Sequence, residues 1–590
     1  MIVDGGIALG MRRLAIIDVE HGDQPIYNED RTIAVVCNGE LYNYRELFEQ
    51  LRHRGHRLQS ASDVNVLPHL YEESGVDAVR ALRGMFAAAL WDSERRCLVL
   101  WRDRVGKKPL FYREDRGRLA FASELPALLA MLDTAPTLAP SSLKSYLQLG
   151  FIPPPETVYQ GIRALPPGHV LTWSEHDGIT VRPYWRRVAG REFQGTRAEG
   201  QAEVRARLDE AVRLRLRSDV PVGLFLSGGI DSSLVASSMA RLGARDVKCY
   251  TIAVDDPELN EAPAAQRVAA SLGLPAETIR LDMDPSEVAP RIATMFGQPF
   301  GDSSAVPSFV VARAASAHLK VVLNGDGGDE VFAGYRRYLS AQLLNWWGQT
   351  PPLVSRVAGR LGEWLSYRVR RRSALGFAAR TMRGLGLPEG ERYLAWTTDL
   401  MTPGQVADWC PDLRSQETEG DEELGFACHD VRSMLGTDFE VNLPGDLLVK
   451  MDIATMANGL EARSPFLDTD LVEFAWSLPV EWLVSGGTTK PFLRSLAAVD
   501  LPEEIVRAPK RGFEVPVEAW LQTSLRPLLG DTLLSGASRV ARLAPRAPLA
   551  GLLDGSARTA GNRAQLGWAL LMLELFLCAP TPPVAGRAWT

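Results

Sequence analysis

Ser227-Gly228-Gly229-Ile230-Asp231-Ser232-Ser233 follows a short apolar run at 223–226 and leads into a helical pattern, and these seven residues decide the fold. Two adjacent glycines let the chain turn tightly and bring backbone N–H groups close to a ligand. The serine hydroxyls can donate hydrogen bonds, and the unpaired N–H groups of a helix start attract an anion. The stretch therefore reads as a phosphate-binding loop between a strand and a helix. An aspartate beside phosphates is unfavourable unless a divalent cation bridges them, so Asp231 implies Mg²⁺. The chain contains no G-x-x-x-x-G-K-[ST], which excludes a Walker-type loop.

Working outward, 249–254 reads as a strand followed by a helix from Ala262, and 306–318 as a helix leading into a strand at 320–323. Short apolar strands alternating with helices indicate a parallel sheet covered on both faces. The last ~250 residues read as mostly helical by period, and the first ~125 as β-rich. In that first part, 86–91 with 97–101 and 110–112 with 119–122 form hairpin patterns, beside apolar runs at 14–19 and 33–37 and a helix at 44–54. Pro153-Pro154-Pro155, Leu165-Pro166-Pro167-Gly168 and the polar residues 187–198 mark a boundary, which gives domains at 1–185 and 196–580. At about 150 residues per domain, a chain of 590 residues is too long for one core.

Composition narrows the function classes. Sixty-five basic against seventy-two acidic residues give a net charge of −7, so no global positive field gathers nucleic acid. The arginines at 368 and 370–372 read as a solvated helix face. Cys37, Cys97, Cys249, Cys410, Cys428 and Cys578 include no C-x-x-C pair, which fits a reducing compartment and excludes a readable zinc knuckle. His53 and His56 read as solvated, and the eight histidines suggest no metal site. The apolar stretch 566–573 is broken by Glu574, well short of the ~20 residues of a membrane span. The opening residues lack a basic cap and apolar run, so the expectation is a cytoplasmic protein with no membrane partner.

The 227–233 loop resembles that of the pyrophosphate-loop ATPases, S-G-G-x-D-S, and further motifs narrow the likeness. Leu323-Asn324-Gly325-Asp326-Gly327-Gly328-Asp329-Glu330-Val331-Phe332-Ala333-Gly334-Tyr335 is similar to the G-[DE]-G-x-D-E-x-F-x-G-Y signature of asparagine synthetases. The segments 443–452, 460–468, Lys490-Pro491-Phe492-Leu493-Arg494 and Lys510-Arg511-Gly512-Phe513 resemble the same family in the same order. In the N-terminal part, Arg13-Leu14-Ala15-Ile16-Ile17-Asp18, Asn38-Gly39-Glu40-Leu41-Tyr42-Asn43 and Ser62-Asp63 resemble its glutaminase domain. The fold class implied is α/β and α+β: an incomplete Ntn-type αββα sandwich, then a pyrophosphate-loop ATPase doubly wound parallel sheet with a helical C-terminal part.

The resemblance implies ATP-dependent amide formation: the aspartate β-carboxylate attacks the α-phosphorus of Mg-ATP, and ammonia attacks the resulting β-aspartyl-AMP. It assigns Ser227, Gly228, Gly229, Asp231, Ser232 and Ser233 to pyrophosphate, and Leu226, Val254, Asn324 and Gly325 to the nucleotide. Asp231 and Asp329 would hold Mg²⁺, Lys490 would stabilise phosphoryl charge, and Asp326, where some members carry Glu, would take the proton from ammonia. Arg13 would grip the glutamine carboxylate, Glu40 and Asp63 its amino group, and Asn38 with the Gly39 N–H would form an oxyanion hole. A homodimer is compatible with this likeness.

The family's nucleophile is an N-terminal cysteine followed some way on by R-G-P-D, whereas residues 4–10 here resemble the region just after that segment. Met11 replaces a usual His and Asn65 the Glu of S-D-x-E. Cys37 cannot substitute, because the mechanism uses the α-amino group as base. The expectation is an N-terminally truncated amidotransferase domain, either through a gene start placed too late or as a crippled glutaminase, with ammonia as nitrogen donor in the chain as written. Three rival classes are a pathway-specific amide or lactam synthetase acting on another carboxylate, a sulfur-inserting tRNA enzyme, which shares the S-G-G-x-D-S loop but usually adds a C-x-x-C pair and a basic surface that this chain lacks, and a non-catalytic scaffold or binding protein.

Overall fold

The structure is a computed structural model that describes all residues except 1, 5, 188–189, 255, 258, 281–282, 345–349, 367, 370–372, 415–425, 510–514, 546, 555, 557–561 and 580–590. The 510–513 motif and the arginines at 370–372 thus lie outside the described residues.

The N-terminal part is built on a six-stranded antiparallel sheet of β1 (Ile26–Tyr27), β2 (Ile33–Leu41), β3 (Gly84–Asp92), β4 (Cys97–Arg102), β5 (His169–Ser174) and β6 (Gly178–Pro183), in spatial order β6-β5-β4-β3-β2-β1. Both faces are apolar, and the period of two sorts them. Val35, Cys37, Phe86, Ala88, Leu90, Val99 and Trp101 share a core with residues of the helices Tyr44–His53 and Val66–Ser74. Val36, Ala87, Ala89, Trp91, Leu98 and Leu100 pack on the opposite face with Leu110 and with Tyr112, Leu119 and Phe121 of a smaller sheet, whose strands are Phe111–Asp115, Arg118–Ala122 and Arg163–Ala164. The run 14–19 is not a strand: Asp18 has a φ of 52°, and the Arg13 guanidinium donates to the Ile17 and Asp18 carbonyls, so this backbone pairs with a side chain instead of a sheet.

The second sheet is wholly parallel and consists of β7 (Val222–Phe225), β8 (Lys248–Ala253), β9 (Ala276–Arg280), β10 (Val321–Leu323) and β11 (Glu461–Arg463). Its spatial order is β9-β8-β7-β10-β11, with β7 paired to β8 through Leu224–Cys249 and to β10 through Leu224–Leu323. Val321, Val322 and Leu323 are fully buried, as a central strand covered on both faces requires. The helices Ile230–Arg241 and Ala262–Leu272 cross between neighbouring strands, and the rest of the chain is mainly helical.

Charged contacts join the two parts. The buried Asp103 carboxylate accepts the N–H groups of Phe86, Lys107 and Lys108 at 3.2, 3.0 and 2.9 Å, which holds the turn after β4 in place. That turn delivers the fully buried Lys108 ammonium to Asp452 at 2.8 Å and Glu461 at 4.0 Å. Arg463, at the end of β11, pairs with Glu461 at 2.9 Å and with Glu40 of β2 at 3.4 Å.

Candidate active site

β7 ends at Phe225 and turns through Ser227, Gly228 and Gly229 into Ile230–Arg241, while its neighbour β10 ends at Leu323 ahead of Asn324-Gly325-Asp326-Gly327. Both loops leave the carboxyl edge of the sheet where the strand order reverses, the place where doubly wound sheets bind ligands. A cavity of about 540 Å³ opens there, large enough for a nucleotide with part of a second substrate.

The loop is built for close approach. Gly228 has a φ of 76°, and a Cβ on it would lie 2.7 Å from both Ala264 Cβ and Ala265 N. The Gly229 N–H donates to Ser227 Oγ at 3.2 Å, and the Ser227 and Ser232 hydroxyls lie 3.0 Å apart. Gly229 caps the helix without a side chain, which leaves first-turn N–H groups for phosphate oxygens. Leu226, Ser227, Gly228, Gly229, Asp231, Ser232, Val254, Asn324, Gly325, Asp326, Asp329 and Lys490 all line this one cavity. Ser233 is not on its wall: one step further round the helix, it is fully buried in the core with its hydroxyl unbonded.

Three charges meet at the polar end. Lys490 Nζ lies 2.5 and 2.6 Å from the two Asp231 oxygens and 2.6 Å from Asp329 Oδ1. Lys490 has a left-handed backbone, φ 54° and ψ 38°, as the residue before the helix Pro491–Ala497. Such a conformation in a non-glycine residue is strained and marks a position held by its surroundings. Gly334 makes the meeting possible, because a Cβ there would overlap the Asp329 carboxylate and Lys490 Cε.

Asp326 accepts the Asn324 side-chain amide at 2.6 Å and lies 3.8 Å from Lys107 Nζ, a buried ammonium contributed by the N-terminal part. The same wall carries groups that sequence reasoning left unassigned. Lys450 donates to Asp302 at 2.6 Å, and Tyr335 donates to Glu330. Burial and the neighbouring Asp329 charge push the Glu330 carboxyl above its ordinary value. Burial would raise Asp302 too, but the Lys450 ammonium and the Ser304 hydrogen bonds hold it below the ordinary carboxylate range. Lys450, Glu330 and Tyr335 sit inside motifs already quoted, so the signal was present without a role attached.

The predicted glutamine residues also gather. Arg13, Cys37, Asn38, Gly39, Glu40 and Asp63 line a second cavity of about 30 Å³, room for about one water and too small for glutamine as it stands. Arg13 donates from Nη2 to the Ile17 and Asp18 carbonyls, while its Nη1 is buried with no hydrogen-bond partner. Asp63 accepts the Leu41 N–H at 2.7 Å, and burial pushes its carboxyl up to about 6. Burial and the Asp63 charge push Glu40 well above its ordinary value, and burial with both carboxylates does the same to the Cys37 thiol.

A doubly wound sheet carrying such a loop, joined to an Ntn-type sandwich, defines an amide-forming ligase with an amidotransferase module. The sequence model of the asparagine synthase family matches residues 203–578, and that of a glutamine amidotransferase domain matches 1–185. The chain belongs to the asparagine synthase family. It is 32% identical over 534 residues to asparagine synthetase [glutamine-hydrolyzing] 1 of Bacillus subtilis, covering 88% of this chain and 82% of that protein. It is 29% identical over 550 residues to asparagine synthetase [glutamine-hydrolyzing] 3 of the same organism, with 88% and 83% covered. A fungal relative, amidase chyE of Penicillium rubens, is 28% identical over 560 residues, with 87% and 82% covered. Among the described residues, no helix is long and apolar enough to cross a membrane.

Proposed function

We propose that this chain adenylates the β-carboxylate of aspartate with ATP and passes the acyl group to ammonia to give asparagine, with residues 196–580 as the adenylating unit and 1–185 as its amidotransferase-type partner. The observation that carries this reading is the single cavity that collects the phosphate loop, two facing aspartates and one lysine.

Asp231 and Asp329 turn carboxylate oxygens toward one point, a hard-oxygen donor set that beside phosphates suits Mg²⁺. Bound there, Mg²⁺ would neutralise charge on the leaving pyrophosphate. In this reading Ser227, Gly228, Gly229, Ser232 and the helix N–H groups hold the β- and γ-phosphates, while Leu226, Val254, Asn324 and Gly325 wall the adenosine side. A substrate carboxylate oxygen bonds to the α-phosphorus as the bond to pyrophosphate breaks. Lys490 pairs with the phosphoryl oxygens as their charge grows. Ammonia then attacks the acyl carbon, AMP leaves with the bonding electrons, and Asp326, 3.8 Å from Lys107 Nζ, accepts the surplus proton.

Ammonia is the nitrogen donor in this reading because the cavity formed by the predicted glutamine residues is small and burial disfavours the thiolate of its one thiol, Cys37. A second reading, a different carboxylate in place of aspartate, draws on the likeness to a protein named an amidase and on the Lys450–Asp302 pair in the cavity wall. Pyrophosphate release with ATP and ammonium, measured across aspartate and a panel of other carboxylates, tests both. Release specific to aspartate supports the first reading, release specific to another acid the second, and no release with any acid defeats the adenylation itself.

A further inference from the structure

We infer that Glu29, His56, His69 and Glu72 bind one divalent transition-metal ion, with zinc the best match to the donors, at a site in the N-terminal part that is separate from both cavities. His56 was expected to be solvated, and no histidine was expected to bind metal. Instead one ligand atom from each of these four residues falls within 4.8 Å of every other.

Three separate elements supply the donors. Glu29 lies in the turn between β1 and β2, His56 in the loop after the helix Tyr44–His53, and His69 and Glu72 one turn apart on the helix Val66–Ser74. Residues three apart share a helix face, so this last pair presents itself together. His69 Nδ1 lies 3.1 Å from Glu29 Oε2, and His56 Nδ1 lies 3.3 Å from Glu29 Oε1 and 3.9 Å from Glu72 Oε2. A tetrahedron with metal bonds of about 2.0–2.1 Å has edges of roughly 3.4 Å; each histidine Nδ1 stands about one such edge from an oxygen of Glu29, and donor atoms that all lie within 4.8 Å of one another close onto one ion by side-chain movements of about 1 Å.

Two further observations point to a ligand. His69 is fully buried, yet neither ring nitrogen makes a hydrogen bond of acceptable geometry, a costly state that a metal bond to one of them relieves in part. The surrounding shell is also in place. His56 turns Nε2 to Glu73 at 3.3 Å, which fixes the ring with Nδ1 toward the cluster, and Arg54 pairs with Glu73 from behind. The Arg57 N–H fixes Glu29 Oε1 at 2.7 Å. A carboxylate on the far nitrogen of a ligand histidine is the usual support of such sites.

Two imidazoles with two carboxylates favour zinc and related ions over Mg²⁺ or Ca²⁺, and four protein donors make a closed, structural site. The ion would tie the turn, the loop and the helix together. That helix follows directly on the turn Asp63–Asn65, so the clamp braces the segment that sets Asp63 in the smaller cavity.

The test is calorimetric titration of chelator-treated full-length protein with Zn²⁺, with Mg²⁺ in excess, together with melting curves. The expected result is one Zn²⁺ per chain and a higher melting temperature with Zn²⁺. His56→Gln and Glu72→Gln, both near the surface, should abolish stoichiometric binding while leaving pyrophosphate release unchanged. Glu73→Gln should weaken binding by roughly 10–100-fold. The site is refuted if wild-type protein takes up no stoichiometric Zn²⁺, or if His56→Gln and Glu72→Gln bind it as tightly as wild type.

Discussion

Removing the ammonium of Lys490 separates its two roles. In the resting cavity it offsets both Asp231 and Asp329 from 2.5–2.6 Å. Lys490→Ala leaves two carboxylates side by side in a buried setting, and losing one partner of such a pair costs about 3–5 kcal/mol. Mg²⁺ should therefore stabilise the alanine variant more than it stabilises wild type, since it restores the missing positive charge. The backbone supplies an internal control. Position 490 sits at φ 54°, where a non-glycine residue costs about 1–2 kcal/mol, part of which glycine returns through its freer unfolded chain. Lys490→Gly should then be about 1 kcal/mol more stable than Lys490→Ala although both lack the charge. In catalysis both variants should lose roughly 10²–10³ in the rate of adenylation at saturating ATP, the size of one well-placed electrostatic contact to a developing charge. Lys490→Arg should recover only part of it, because a planar fork cannot occupy the place of a point charge. The assays are pyrophosphate release across ATP concentrations and melting curves with and without Mg²⁺. If the alanine variant raises only the KM for ATP, the lysine is a ground-state binder; if glycine is no more stable than alanine, the strain at 490 is not real.

Asp231→Asn should abolish pyrophosphate release while leaving the melting curve of a folded protein, since the amide keeps the shape but cannot hold a cation beside the phosphates; activity within a few-fold of wild type would place the metal elsewhere. Gly334→Ala should push Asp329 and Lys490 apart, costing about 1–3 kcal/mol and most of the adenylation activity, seen by urea unfolding and the same release assay. The Asp63 carboxyl is raised to about 6 in the folded protein, so the folded state holds its proton more tightly than the unfolded one. The stability from this group is full below about pH 4 and is lost as pH rises through about 6. Asp63→Asn should therefore gain on wild type more at pH 8 than at pH 5 in thermal melts, and an equal gain at both would remove the basis for that shift. Cys37→Ser should leave asparagine formation from ammonium unchanged, and a large loss would give the thiol a role it has not been assigned.

Much of the synthetase half was legible because its signals are local. The loop at 227–233 and the strand expected at 249–254, found at Lys248–Ala253, follow from a few consecutive residues. The loop pattern does not carry the rotation of the helix it begins, so it could not show that the Ser233 side chain turns into the core while Ser232 lines the cavity. The run 14–19 has strand composition, but strand composition loses to the Arg13 side chain, which takes the carbonyls a neighbouring strand would have used. β11 was quoted as a motif and not as a strand, since Glu-Ala-Arg has no apolar alternation; its charges are buried only because Lys108 and Glu40 reach them from elsewhere in the chain. Lys107 and the Glu29–His56–His69–Glu72 group were missed for the same reason: what matters in each is a partner far off in sequence.

The Lys108–Asp452–Glu461–Arg463–Glu40 chain restricts how such a protein can be rearranged. Each member is buried and answers to another across the seam, so neither half can trade one of these residues without a matching change in the other. A hybrid that grafts the first half of a relative onto this second half inherits a mismatch wherever the relative lacks Lys108 or Glu40, and the stranded charge falls within the seam, where solvent cannot reach it. Expressing the second half alone would uncover Asp452, Glu461 and Arg463 together and remove both Lys108, which balances the two carboxylates, and Glu40, which faces Arg463. The halves are therefore tied energetically, and a change of charge on one side of the seam costs stability unless the other side changes with it.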